Sequence, residues 1–296
     1  MISEVPSDFA SAHDAGPLTL TAGFGTDRGL RRELNEDSLI AQDPVYAVAD
    51  GMGGHEAGEI ASGICVRTLA QRLATPEGNR DVDVTRLQEA LQEADLAIRQ
   101  QGSGRAGTTL SGVAVVEQNQ KPYWLVFNVG DARTYRLSRG TFERVTVDHS
   151  EVQELIDNGS ISATQALRHP RRHVVTRALG SGDGGAPDYW LLPIEDGDRV
   201  MVCSDGLTGE VSDEFIRRVL QSTFDPQEAA DALIQAALRN GGRDNVSVVV
   251  VDAFAHDGEL TTSPRIDAET EDTLPRELLA LREESAAPAA ASGEEE

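Results

Sequence analysis

An α+β domain with mostly antiparallel sheets is what the sequence predicts, on three observations. Short β-branched runs alternate with amphipathic stretches along the chain. Several of those runs follow one another through turns alone, whereas a parallel sheet needs a crossover helix after nearly every strand. Apolar residues make up 39% of the chain and aromatics only 4%, which points to a core of Ala, Val, Leu and Ile.

The elements read in order. Residues 45–49 form an apolar strand closed by Asp50-Gly51. Apolar side chains recur at the helical period at Ile60, Ile64, Leu69 and Leu73, and again at Leu87, Leu91, Ala94 and Ile98, giving two helices. Strands follow at 109–116 and at 124–129, the latter closed by Gly130-Asp131. Ser150 with Gln153 and Ser162 with Gln165 have capping-box spacing, so 151–158 and 163–168 are two short helices split by Asn158-Gly159. A strand at 200–204 closes in Asp205-Gly206. Ala230, Leu233, Ala237 and Leu238 mark a third long helix, and Asp244-Asn245 opens a last strand at 246–251. Two glycine series, Gly102-x-Gly104-x-x-Gly107 and Gly180-x-Gly182-x-x-Gly185, spell a dinucleotide fingerprint. Neither lies between a strand and a helix, so both read as loops.

Composition bounds the function. At roughly 150 residues per domain, 296 residues allow one large domain or two small ones. The net charge of -24 disfavours a nucleic-acid face or an anionic membrane surface. Residues 1–17 read as a flexible segment, 18–256 as the folded domain, and 257–296, with twelve acids against three arginines, as an acidic disordered tail. No stretch is long and apolar enough for a membrane span, and the opening residues do not read as a secretion signal. Cys65 and Cys203 sit in apolar segments, which suits a reducing cytoplasm. Lys121 is the only lysine and precedes Pro122, so no phosphate-loop nucleotidase is possible. Gln71 and Gly209 stand six residues after the two cysteines, where a cysteine-nucleophile phosphatase needs arginine.

The aspartates carry the chemistry. Asp-Gly is a common turn dipeptide, but Asp50, Asp205 and Asp244 come from distant parts of the chain and each adjoins a buried strand. If those ends meet, like charges about 4 Å apart repel by kcal/mol amounts. A divalent cation neutralises them, and an oxygen-only donor set suits Mg²⁺ or Mn²⁺ over Zn²⁺. The segment 27–37 adds Arg28, Arg31 and Arg32, whose planar forks fit phosphate, together with Glu36 and Asp37.

Six motifs in order then resemble the bacterial metal-dependent Ser/Thr protein phosphatases of type 2C. They are 32–37 (Arg-Glu-Leu-Asn-Glu-Asp), 48–55 (Val-Ala-Asp-Gly-Met-Gly-Gly-His), 107–109 (Gly-Thr-Thr), 128–133 (Asn-Val-Gly-Asp-Ala-Arg), 203–207 (Cys-Ser-Asp-Gly-Leu) and 244–247 (Asp-Asn-Val-Ser). The resemblance implies a sandwich of two antiparallel sheets flanked by helices, with metals in a cleft at one edge. It implies Asp50 as bridging ligand, the Gly51 carbonyl, Asp205 and Asp244 as ligands of two Mn²⁺ or Mg²⁺ ions, and Asp131 as ligand of a third, weaker ion. Arg32 would bind phosphate, Glu36 and Asp37 would act on metal-bound water, and 151–168 would form a flap beside the cleft. The reaction implied is direct attack of a metal-bridging hydroxide on phosphoserine or phosphothreonine in proteins, the substrates of a Ser/Thr kinase. A catalytically silent phosphoprotein-binding member is the alternative.

Two departures stand out. Met52 occupies the place of a histidine proposed as general acid in eukaryotic members, with His55 three residues on, and Ala132 replaces a usual serine. Arg168, Arg171 and Arg172, in the one basic island of an acidic chain, are expected to recruit phosphorylated segments.

Overall fold

A computed structural model describes residues 15–53, 57–74, 80, 82–101, 106–166, 168–182 and 185–257. Most of residues 1–17, His55 and the acidic segment after 257 therefore lie outside the described residues. Along the chain run β1 (Ala15–Asp27), β2 (Asp37–Gln42), β3 (Val45–Met52), α1 (Ala57–Leu73), α2 (Val84–Gln101), β4 (Gly107–Thr108), β5 (Leu110–Gln118) and β6 (Lys121–Val129). They are followed by β7 (Arg133–Ser138), β8 (Thr141–Arg144), α3 (Glu151–Asp157), α4 (Ala163–Ala166), β9 (Asp188–Pro193) and β10 (Asp198–Cys203). The last elements are α5 (Asp205–Thr208), α6 (Asp213–Ser222), α7 (Pro226–Asn240) and β11 (Val246–Asp257).

One sheet has the order β1-β11-β10-β7-β8 and the other β2-β3-β5-β6-β9, with β4 paired to β3. Every ladder is antiparallel, as the turn-linked strands predict. Alternating side chains of the central strands feed two different apolar layers, which is why those strands read as continuous apolar runs. Val48 and Val126 meet Val200, Val202, Val249 and Val251 between the sheets. Ala47, Leu125 and Phe127 face α1 and α2 through Cys65, Leu69, Leu87 and Ile98. Met201, Cys203, Val248 and Val250 face α6 and α7 through Ile216, Leu233 and Ala237. The result is a four-layered α–β–β–α sandwich.

The helix termini follow their sequence signals. The Ser150 hydroxyl accepts from the Gln153 N–H at the start of α3. At α4 the box is reciprocal: Ser162 N donates to Gln165 Oε1 at 2.8 Å and Gln165 N to Ser162 Oγ at 3.3 Å. Asp205 does not merely close a strand at a turn; it opens the short helix α5 behind the N-cap Ser204. Both cysteines are free and buried, and burial pushes the Cys65 thiol up to about 12. The native protein is therefore expected to resist thiol alkylation at pH 8, while the urea-unfolded chain takes up label at both sites, as read by intact mass.

Candidate active site

Strands of both sheets end at one edge of the sandwich. Asp37 opens β2 and lies directly across from Asp50 near the end of β3. Asp131 sits between β6 and β7, Asp205 follows β10, and Asp244 precedes β11. Together they surround an open cleft of about 620 Å³, lined by Arg32, Glu36, Asp50, Gly51, Asp131, Asp205 and Asp244 among others, with Asp37 buried behind it.

The loop between β1 and β2 is moulded on Asn245. Its Nδ2 donates to the carbonyls of Arg28 and Leu34, both at 2.9 Å, and its Oδ1 accepts from Glu36 N at 2.9 Å. That holds Arg32 over the cleft, where Nη2 donates to Asp244 Oδ2 at 2.7 Å and Nη1 lies 3.7 Å from Glu36 Oε2. Behind it, Ser204 Oγ donates to Asp37 Oδ2 at 2.8 Å and accepts from Ser247 N at 3.0 Å. The β3 end is fixed from the other side by Thr109 N, which donates to Asp50 O at 2.9 Å.

Close backbone approach explains the glycines that follow two of the aspartates. A Cβ on Gly51 would stand 2.1 Å from Gly58 O, and one on Gly206 would stand 1.9 Å from Asn245 O. Gly206→Ala is thus expected to push Asn245 off the loop it holds, lowering the melting temperature and losing most activity. A normal melt with full activity would contradict this packing.

The carboxyls are poorly matched by positive charge. Desolvation, then repulsion from Asp205 and Asp244, pushes Asp37 up to about 7. Desolvation with repulsion from Asp205 and Asp148 brings Asp131 to about 7 as well. Asp50 is raised well above the ordinary carboxylate range by desolvation and by Asp37, Asp205, Asp131 and Asp244. Glu36 Oε1, Asp37 Oδ1 and Thr109 Oγ1 are buried without a hydrogen-bond partner. Unpartnered acceptors facing a ring of acids are what divalent cations relieve. Among the described residues, no group of three or more acidic, His or Cys side chains is arranged as a ready-made cage. The donors that line the cleft are carboxylate and carbonyl oxygens, which fit hard ions that complete their shell with water, as Mg²⁺ and Mn²⁺ do.

The segment after β8 supports Asp131 and borders the cleft. Gly130 N donates to His149 Nδ1 at 3.1 Å, which leaves the ring proton on Nε2 toward Asp188 Oδ2 at 3.0 Å. Arg133 forks onto Asp148 at 2.9 and 2.6 Å. Of the basic island, only Arg172 and His173 line the cleft. Arg171 is paired to Glu151 at 2.5 Å and Arg177 to Asp188 at 3.2 Å, while Arg168 is exposed and does not line the cleft. His173 Nδ1 stands 3.7 Å from Asp205 Oδ2, and that carboxylate pulls the imidazole pKa up. Sequence reasoning missed Glu210 and Arg243, which also line the cleft; the arginine's place beside Asp244 was the available signal.

A family model described as "Protein phosphatase 2C" matches residues 25–240. The curated Ser/Thr protein phosphatase PstP of Mycobacterium tuberculosis is 38% identical over 245 residues, covering 81% of this chain and 46% of its own. The chain thus spans about half the length of that relative. A Ser/Thr phosphatase of Listeria innocua is 37% identical over 243 residues, covering 78% of this chain and 95% of its own. Among solved structures, the M. tuberculosis PstP superposes with a TM-score of 0.73 at 38% identity, covering 80% of this chain and 99% of that one. A PstP catalytic domain in complex with two manganese ions superposes at 0.71 and 35% identity, covering 80% and 100%.

Proposed function

The chain belongs to the protein phosphatase 2C family, and from that premise we propose that it hydrolyses phosphoserine and phosphothreonine in proteins with divalent cations as cofactor. The observation that carries this reading is the ring of five aspartates and Arg32 at one edge of the sandwich. Asp50, the Gly51 carbonyl, Asp205 and Asp244 would hold two Mn²⁺ or Mg²⁺ ions, and Asp131 a third, weaker one. Ions held there supply a water acidified to near neutrality and positive charge for the phosphoryl oxygens.

The chain's own residues do the rest. Arg32 presents a planar fork to two phosphoryl oxygens, and Asp244 Oδ2 at 2.7 Å keeps that fork aimed. Glu36 Oε1 and Asp37 Oδ1, free of protein partners, accept hydrogen bonds from water and so orient it for in-line attack. Met52, lining the cleft, has no proton to give, so the leaving alkoxide takes its proton from another group in the cleft or from water. No covalent nucleophile is needed, in keeping with two inert buried thiols.

The substrates are phosphoproteins made by a Ser/Thr kinase in the cytoplasm, with neither nucleic acid nor membrane as partner. The net charge of -24 supports that, and among the described residues no helix is long and apolar enough to cross a membrane. The test is phosphate release from p-nitrophenyl phosphate and from a phosphothreonine peptide in Mn²⁺, Mg²⁺ or EDTA. Turnover with a cation and none in EDTA is expected. No turnover with either cation, in a protein shown to be folded, would favour the silent phosphoprotein-binding alternative.

A further inference from the structure

Three arginines line the cleft, and only Arg32 has a place in the reading above. The other two are Arg243, beside the short helix α5, and Arg172. Arg243 donates from Nε to Glu210 Oε1 at 2.7 Å and from Nη2 to Glu210 Oε2 at 3.0 Å, and Nη2 also reaches Gly209 O, beyond the end of α5, at 3.4 Å. The Glu210 side chain is 3% exposed and that of Arg243 66%. The acid is therefore buried as a clamp, while the guanidinium stays open to the cleft with Nη1 unpartnered among the described residues. Arg172 lines the same cleft and precedes His173, whose ring approaches Asp205 at the start of α5. Its guanidinium makes no hydrogen bond or ion pair among the described residues, unlike those of Arg171 and Arg177. Both arginines thus face one cleft, the one that holds the aspartates.

We propose that Arg172 and Arg243 form an anion subsite that reads an acidic side chain, a carboxylate or a second phosphate, close in sequence to the phosphoresidue under hydrolysis. The proposal rests on the phosphatase reading and deepens it to a class of substrate. Its physical basis is contrast. An acidic peptide is repelled by a protein of net charge -24 unless a local cationic pair receives it, and a guanidinium already pinned by a buried acid loses little freedom on binding. Unpaired Arg172 supplies the net positive charge and clamped Arg243 the fixed geometry.

The test compares kcat/KM, in Mn²⁺, for phosphothreonine peptides identical except for one flanking residue: alanine, glutamate or a second phosphothreonine, placed in turn on either side. The wild type is expected to favour an acidic flank over alanine by about 10-fold, the scale of partly exposed charged hydrogen bonds. Glutamate alone sufficing identifies a carboxylate site, and a preference confined to the doubly phosphorylated peptide identifies a phosphate site. Arg172→Gln should bring the ratio toward one whatever its absolute rate. Because Arg243→Gln alone strands the buried Glu210, the paired variant Glu210→Gln/Arg243→Gln is the second arm, with the same expected ratio. Lys121→Gln, at the far end of β6, should keep the preference. Equal cleavage of all peptides by the wild type, unchanged ratios in both variants, or an equal loss in Lys121→Gln would overturn the subsite. Failure of the folded wild type to cleave even p-nitrophenyl phosphate would remove the phosphatase reading itself, and the subsite with it.

Discussion

Asp50→Asn is expected to lower kcat/KM on p-nitrophenyl phosphate and on a phosphothreonine peptide alike, by at least about 10³-fold, the scale seen when one charge-stabilising group is removed from an active site. The same substitution should leave the melting temperature of the metal-free protein unchanged or raised. Asp50 lies opposite Asp37 in the β2–β3 ladder, and its carboxyl is driven upward by desolvation and by four neighbouring acids. Removing the charge keeps the side chain's shape and relieves that repulsion in the absence of metal. Function and stability thus move in opposite directions, as expected of a residue held for chemistry. A variant that loses activity because it melts early would argue that Asp50 is structural, and one that keeps activity would remove it from the site.

Without metal the protein should become less stable as pH rises. Asp37 and Asp131 are both pushed up to about 7 in the folded state, against an ordinary aspartate value of 3.8. Between those values the folded state keeps protons that the unfolded chain has released, so their contribution is complete below about 4 and lost as pH climbs through 7. His173, raised by Asp205, acts in the same sense. Glu210, lowered by Arg243 from 4.5, acts in the opposite sense, but its contribution is lost only as pH falls below the ordinary carboxylate range. Two groups losing about two units each, at about 1.4 kcal/mol per unit, amount to roughly 5 kcal/mol, so the melting temperature in EDTA should fall by roughly 10–20 °C from pH 5 to pH 8. Mn²⁺ should restore more at pH 8 than at pH 5, because it binds the ionised carboxylates. A flat or rising profile in EDTA would mean that the aspartates are not crowded in solution.

Much of this was legible because local rules and tertiary outcome agree. The helical repeats through Leu69, Leu87 and Leu233 mark faces that are buried in the two outer layers, and Ser150 and Ser162 cap the helices they announce. The aspartates could be grouped because each follows or precedes an apolar strand. What escaped was tertiary. α6 is the exception, a local signal that went unread: Phe215, Ile216, Val219 and Leu220 recur at the helical period behind the N-cap Ser212. The pairing of Glu210 with Arg243 joins positions 33 apart through packing that no spacing rule anticipates. The basic island looked uniform in one dimension, yet Arg171 and Arg177 are tied to acids, and of its arginines only Arg172 lines the cleft.

The placement of β11 between β1 and β10 has a consequence for how the molecule comes into being. Thr26 and Ser247, which share a hydrogen bond, are 221 positions apart, so β1 must wait for β11 to emerge from the ribosome before it has a partner in its sheet. The β2-β3-β5-β6-β9 sheet and the helices α1 and α2 can assemble during synthesis, but Asp244 and the strand behind it arrive last. A nascent or C-terminally clipped chain therefore carries Asp50 without Asp244, and the ring of aspartates is completed in a single late step that coincides with closure of the sandwich.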